Sequence, residues 1–245
     1  MDKRDVARCF TTPLDSPAYA PTRYRFTDRE YLNIVYRTDP EVLRRLTPEP
    51  LTVTDPLVRF EVMRMPDVTG LGDYTEAGQL IAVEYDGEAG EFSLAMYVDS
   101  VPAISSGREY SAYPKKSGSP ALYVDSDTLV GTLDYGTLRV ATATMGYKHH
   151  AMDLDEARAE ICTPTFMVKT LPHYDGTPRV CDLVRTRISD ITVKSAFTGP
   201  ARLQLFAHAI APLADLPVLQ VVRAGHILTD LTLDAVEAVY DYLAD

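Results

Sequence analysis

Turn signals divide this chain into β-rich runs, and they limit it to a largely antiparallel sheet. Asp86-Gly87 separates residues 81–85 from 91–98, and Asp134-Tyr135-Gly136 separates 129–133 from 137–147. Asp175-Gly176 and Gly199-Pro200 mark further turns. An Asp-Gly pair tolerates the positive φ of a tight hairpin, so each folds the chain back beside itself. Aromatic and β-branched runs predict more strands over 29–37, 57–65, 166–171, 179–195, 202–208 and 225–233. Helices are few. Thr38 or Asp39 caps one, with Pro40 in its first turn. Residues 102–108 suit a helical turn, Asp153 or Asp155 starts a helix ending at Ile161, and Val236, Val239, Tyr240 and Leu243 fit one helical stripe over 234–243. The three prolines of 11–22 predict an extended arm. With about ten strands, closure into a barrel is the expected way to remove exposed edges. No repeat or linker divides the chain, so 1–245 reads as a single domain.

Charge and targeting narrow the function. A formal net charge of −11 argues against nucleic acid as the main partner, because phosphate binding needs basic patches. No run of 18 apolar residues predicts a membrane span, and residues 1–10 lack the apolar stretch of a signal peptide. Cys9, Cys162 and Cys181 are odd in number and widely spaced, so free thiols in a reducing cytoplasm are expected. His149-His150 stands without the spacing of further ligands, and no metal site is expected.

Three features carry possible chemistry. Glu61 lies in mid-strand, on the face opposite Val58, Phe60 and Val62. It is either an exposed acid on a wet face or a carboxylate aimed into a cavity. Glu76 lies in 66–79, a stretch whose three glycines predict a loop. Gly70-x-Gly72 lacks the third glycine and the strand-to-helix setting of a dinucleotide site. The third is Lys115-Lys116. Adjacent lysines are ordinarily solvated, but a lysine held against apolar walls sheds its proton and becomes an amine nucleophile.

The context of the lysine pair decides between these. Tyr113-Pro114-Lys115-Lys116, preceded by Arg108-Glu109-Tyr110-Ser111-Ala112, resembles the active-site segment of the acetoacetate decarboxylase family. The resemblance continues through residues 29–39, 56–63, 70–76, 124–136, 142–149 and 199–206, nearly the full length. It implies decarboxylation of acetoacetate to acetone and CO2 through a lysine Schiff base, with no metal or organic cofactor. It implies a closed antiparallel β-barrel with a flanking sheet and a few short helices, a mainly β fold, assembled as a homo-oligomer, a dodecamer in the family. By matching position Lys115 is the Schiff-base lysine, Lys116 its neighbour, and Arg29, Glu61 and Glu76 the charged pocket residues. Tyr110 stands where an aliphatic residue is expected, a change in packing behind the lysine strand. Tyr113, Phe26 and Met96 are expected to line the pocket. The resemblance implies a small β-keto acid as partner, and the acidic composition with no targeting signal leads to the expectation of a cytoplasmic setting.

The chemistry accounts for these residue types. An ordinary lysine, with a pKa of about 10.4, is less than about one part in a thousand neutral at pH 7. In an extended 113–117, Lys115 and Lys116 point to opposite faces. A desolvated pocket is therefore the expected main cause of the amine's neutrality, with Lys116 a scaffold residue paired to an acid outside the cavity. Arg29 suits the substrate carboxylate, and Glu76 or Glu61 suits proton shuttling. Two other readings compete: an aldolase, dehydratase or hydrolase using the same lysine on another keto acid, and a non-catalytic binder of apolar small molecules.

Overall fold

A computed structural model describes residues 1–244. In chain order the helices are α1 (Lys3–Ala7), α2 (Pro40–Leu46), α3 (Val101–Glu109) and α4 (Leu154–Ile161). The strands are β1 (Tyr24–Arg37), β2 (Thr52–Val68), β3 (Gly72–Tyr85), β4 (Glu88–Val98), β5 (Lys115–Ser117), β6 (Ser119–Asp125), β7 (Thr128–Tyr135) and β8 (Leu138–Gly146). They continue as β9 (His150–Ala151), β10 (Thr165–Pro172), β11 (Pro178–Thr186), β12 (Ile188–Thr198), β13 (Ala201–Leu205), β14 (Gln220–Leu233) and β15 (Glu237–Asp241).

The expected barrel is not there. The large sheet runs β15-β11-β10-β4-β3-β2-β1-β14-β12-β9, with β5 paired to β4, and its two ends do not meet. A second sheet, β13-β8-β7-β6, is also open. The physical reason lies in how the apolar faces are covered. Leu32, Ile34, Phe60 and Val62 on one face of β1 and β2 share a core with Leu129, Leu133, Ala141 and Met145 of the second sheet. Layering buries that face without closure. Gly131 marks the closest approach, where a Cβ would lie 2.9 Å from Val62 and 3.1 Å from Leu32. The free ends are kept short, two residues in β9 and five in β15, which limits edge pairing.

The opposite face of the same strands holds a second core, with Tyr31, Met63, Met96, Val98 and Ile227 packed against Ala103 of α3 and Ala157 and Ile161 of α4. Both faces of β2 are therefore buried. Glu61 and Arg59 sit at 4% and 8% exposure, and the wet-face reading of Glu61 fails.

Three local expectations differ as well. The glycine-rich 66–79 is not a loop: Gly70 and Gly72, at φ +76° and +77°, close a tight turn between β2 and β3, and Glu76 lies inside β3. Residues 179–195 break at Arg187 into β11 and β12, which pair with different partners. The C-terminal stripe is strand, not helix. β15 pairs antiparallel with β11, and the Tyr85 hydroxyl donates to the Val239 carbonyl at 2.8 Å. An isolated helix that short is marginal, so an open sheet edge wins. The capped helices form as expected: Asp39 accepts from the Glu41 amide at 2.8 Å and Asp153 from the Asp155 amide at 2.9 Å.

Candidate active site

Strand register brings the charged residues together. In one row across the sheet Lys115 pairs with Met96, Met96 with Gly78, Gly78 with Glu61 and Glu61 with Asn33. In the next row on the same face, Val98 pairs with Glu76, Glu76 with Met63 and Met63 with Tyr31. Residues opposite one another in register share a face. Lys115, Glu76, Glu61, Met96 and Tyr31 therefore all point to the side covered by α3 and α4. Gly78 lies between Glu61 and Met96 where β3 and β4 approach closely. A Cβ there would lie 2.8 Å from the Ala95 carbonyl oxygen, so the position admits no larger residue without backbone movement.

The charges interlock. Lys115 Nζ lies 2.9 Å from Glu76 Oε2, and Arg29 Nη2 lies 3.8 Å from Glu76 Oε1. Lys115 and Glu76 are buried, at 6% and 3% exposure, and Arg29 is partly buried, at 11%. The Lys115–Glu76 contact is close but not aligned as a hydrogen bond, and Glu76 Oε2 has no hydrogen-bond partner. Lys115 Nζ also lies over the Tyr74 and Tyr113 rings, 5.3 and 5.4 Å from their centroids. The Arg29 guanidinium stacks over Phe26 at 4.8 Å and Tyr31 at 4.9 Å, and contacts Met63 Sδ at 2.8 Å. Burial works against the Arg29 charge, but the Tyr31 hydroxyl and the Glu76 carboxylate outweigh it and hold the proton more tightly than usual.

Glu61 belongs to a second chain of charges. Arg59 Nε lies 3.5 Å from Glu61 Oε2, and Arg59 Nη2 lies 2.5 Å from Glu91 Oε2. Burial pushes the Glu61 carboxyl up to about 7, against the pull of Arg59 and Arg29. Burial likewise raises the Tyr113 hydroxyl well above its ordinary value.

A cleft opens over this face. Arg29, Tyr31, Arg59, Glu61, Met96 and Tyr113 line it, together with polar residues such as Thr163 and Arg187 and apolar ones such as Leu80 and Ile161. Lys115 and Glu76 are not on its wall. They meet it through Arg29, which touches Glu76, and Tyr113, which flanks Lys115. Arg29 Nε, Tyr31 hydroxyl, Arg59 Nε and Ser93 Oγ are buried without hydrogen-bond partners. Unpaired buried donors are costly, and a cleft that gathers them suits a small oxygen-rich ligand.

The lysine pair divides. β5 runs parallel to β4, so Lys115 shares a face with Met96, while Lys116 falls opposite Tyr97 on the other. Lys116 Nζ donates to the Ile210 carbonyl and lies over the Tyr97 and Tyr135 rings, at 5.9 and 5.3 Å. Among the described residues its partner is a carbonyl and two rings, not the expected acid. The segment before the pair is also less extended than expected: the Lys115 amide donates to the Tyr113 carbonyl at 2.7 Å, a turn about Pro114. Tyr113 reaches the cleft all the same.

Reasoning from residues missed Arg59, Tyr31 and Tyr74. Arg59 stands two positions from Glu61, so strand alternation was the signal available. Tyr74 was hidden by the reading of its stretch as loop.

The acetoacetate decarboxylase (ADC) family model matches residues 10–243. An acetoacetate decarboxylase of Streptomyces nogalater is 69% identical over 244 residues, spanning 100% of both chains. The structure described as "Structural Studies of Acetoacetate Decarboxylase" superposes with a TM-score of 0.98 at 58% identity, covering 100% of each chain. That of acetoacetate decarboxylase from Legionella pneumophila gives 0.93 at 43% identity, over 98% of this chain and 96% of the other. Full-length agreement in both sequence and strand layout places the chain in the acetoacetate decarboxylase family.

Proposed function

We propose that this protein decarboxylates acetoacetate, releasing acetone and CO2, with Lys115 as the Schiff-base nucleophile. The observation that carries the reading is the buried Lys115–Glu76–Arg29 cluster, with contacts of 2.9 and 3.8 Å, beside an open cleft. The Lys115 amine adds to the keto carbon of acetoacetate, and water departs to leave a protonated imine. The imine takes up the electron pair of the breaking C–C bond as CO2 leaves. The resulting enamine is protonated on carbon, and water hydrolyses the new imine to acetone and free amine. The imine is the electron sink, so the sequence as written requires no cofactor.

Each neighbour has a part. To attack, Lys115 must be neutral. It lies buried on a face walled by Tyr74, Tyr113 and Met96, with Glu76 at 2.9 Å. Glu76 is also placed to accept the amine's proton and to return it to the enamine. Arg29, a fork of donors with an unpaired Nε, is placed to hold the substrate carboxylate. Phe26 and Tyr31 fix the plane of that fork, and Met96 and Tyr113 exclude water from the imine.

The experiment is borohydride trapping with acetoacetate. Hydride adds to the imine carbon and fixes the substrate as a secondary amine, so peptide mapping is expected to find the adduct on Lys115. Acetone and CO2 release is measured alongside. An adduct with a different product fits an aldolase, dehydratase or hydrolase instead, and no adduct on Lys115 refutes the Schiff base.

Two further outcomes are expected. Lys116 contacts neither the cleft nor Glu76, so Lys116→Met leaves kcat within about threefold and the pH dependence of trapping unchanged. A large fall in trapping at neutral pH in that variant would make Lys116 the activator. Glu61 is neutral below about 7 and charged above it. The substrate is an anion, so a charged Glu61 lining the cleft repels it, by on the order of 1–2 kcal/mol at an effective dielectric constant of about 20. With Arg59 offsetting part of this, KM is expected to rise by roughly tenfold from pH 6 to pH 8. In Glu61→Gln the inflection near neutrality disappears. An inflection that survives the substitution belongs to another group.

A further inference from the structure

The geometry points to Gly107 as a positioning residue for Lys115: the missing side chain at 107 is what lets the lysine stem lie against α3 and reach Glu76. This rests on Lys115 being the nucleophile. Gly107 is buried within α3. A Cβ on it would fall 2.6 Å from Lys115 Cδ, 3.0 Å from Cε and 3.5 Å from Cγ. A methyl group at 107 and the present lysine path therefore exclude each other.

Helix propensity makes the glycine informative. Glycine inside a helix is less favourable than alanine through its backbone freedom. φ at 107 is not in the left-handed region, so the backbone does not demand glycine. The three nearest atoms all belong to one side chain, the lysine. The helix can accept alanine, and what must give way is the flexible end of Lys115. The backbone around it is pinned: the Tyr113 amide donates to the Gly107 carbonyl at 2.9 Å, and Arg108 Nη1 donates to the Lys115 carbonyl at 3.2 Å. Lys169 Nζ ties down the same segment by donating to the carbonyls of Arg108, Glu109 and Ser111. With helix and strand held in register, a methyl at 107 displaces Nζ rather than the backbone.

The test compares wild type, Gly107→Ala, Lys115→Ala and the double variant. In Gly107→Ala the rate of borohydride trapping by acetoacetate and kcat are both expected to fall at least tenfold per folded chain, with KM changed by less than threefold. Thermal unfolding supplies a readout independent of activity. Gly107→Ala is expected to lower Tm in the Lys115 background, and to leave it unchanged or raise it once Lys115→Ala has removed the clash. Trapping and kcat at the wild-type rate in folded Gly107→Ala, or equal Tm shifts in the two backgrounds, would overturn the inference. If wild type itself gives no adduct on Lys115, the Schiff-base reading fails, while the Tm cycle still reports whether 107 and 115 are in contact.

Discussion

Replacing Lys115 with methionine is expected to abolish decarboxylation, with kcat falling by on the order of 10⁴-fold or more, as removal of a covalent nucleophile does. Methionine keeps an unbranched apolar stem for the space against α3, so packing is disturbed little. The charge left behind is not stranded either. Glu76 loses the contact at 2.9 Å to Lys115 but keeps Arg29 at 3.8 Å. Removing one member of a buried pair ordinarily costs about 3–5 kcal/mol because it leaves the other unpaired. Here the second cation reduces that cost, and a folded, inactive protein is expected. Acetone release under saturating acetoacetate, with circular dichroism and thermal unfolding on the same sample, checks both halves. A folded Lys115→Met that turns over within tenfold of wild type would remove the imine from the mechanism.

Why some of this was legible in the chain and some was not follows from the range of the interactions involved. Hairpins and helix starts are local. Asp86-Gly87 places both turn residues at positive φ, and Asp39 and Asp153 cap helices whose first amides lie two or three residues away. How the strands then join is not local. β1 pairs with β14 from Tyr24↔Leu233 to Arg37↔Gln220, and β4 meets β10 in parallel. Turn chemistry says nothing about such pairings, so a closed barrel and two open layered sheets were equally compatible with it. Glycines misled in the same way. Gly70, Gly72 and Gly78 suggest a loop, but two of them close a turn and the third lets β3 and β4 approach closely. They predict a loop at Glu76, which lies instead in β3, in a buried row beside Met63. On β2 the alternation rule assigned Glu61 and Arg59 to a possible wet face because α3 and α4, which cover that face, come later in the chain. Lys115, Glu61 and Glu76 stand out by residue type and place, while Arg29 and the role of each follow from the family resemblance. Arg59, which touches Glu61, is legible only as far as strand alternation goes, and the contact of Gly107 with Lys115 depends on how α3 packs on β5.

Arg29→Met is expected to act on a different quantity from Lys115→Met. Arg29 is one of three arginines lining the cleft, with Arg59 and Arg187, and its Nε is buried without a hydrogen-bond partner. A charge-assisted hydrogen bond is worth about 1.5–3 kcal/mol, so loss of the fork to the substrate carboxylate raises KM by roughly 10- to 100-fold. Some loss in kcat comes with it, because Glu76 is then left with Lys115 as its cation contact and the two side chains shift from the geometry that Arg29 helps to hold. Arg29→Lys separates the two effects. It restores a positive charge near Glu76 but not the planar fork stacked on Phe26 and Tyr31 at 4.8 and 4.9 Å. The lysine variant is therefore expected to recover kcat more than KM. Steady-state kinetics on the three proteins decides it. If Arg29→Met leaves KM for acetoacetate unchanged, the substrate carboxylate is held elsewhere in the cleft. Arg59, with its own unpaired Nε beside Glu61, is then the cation to replace next.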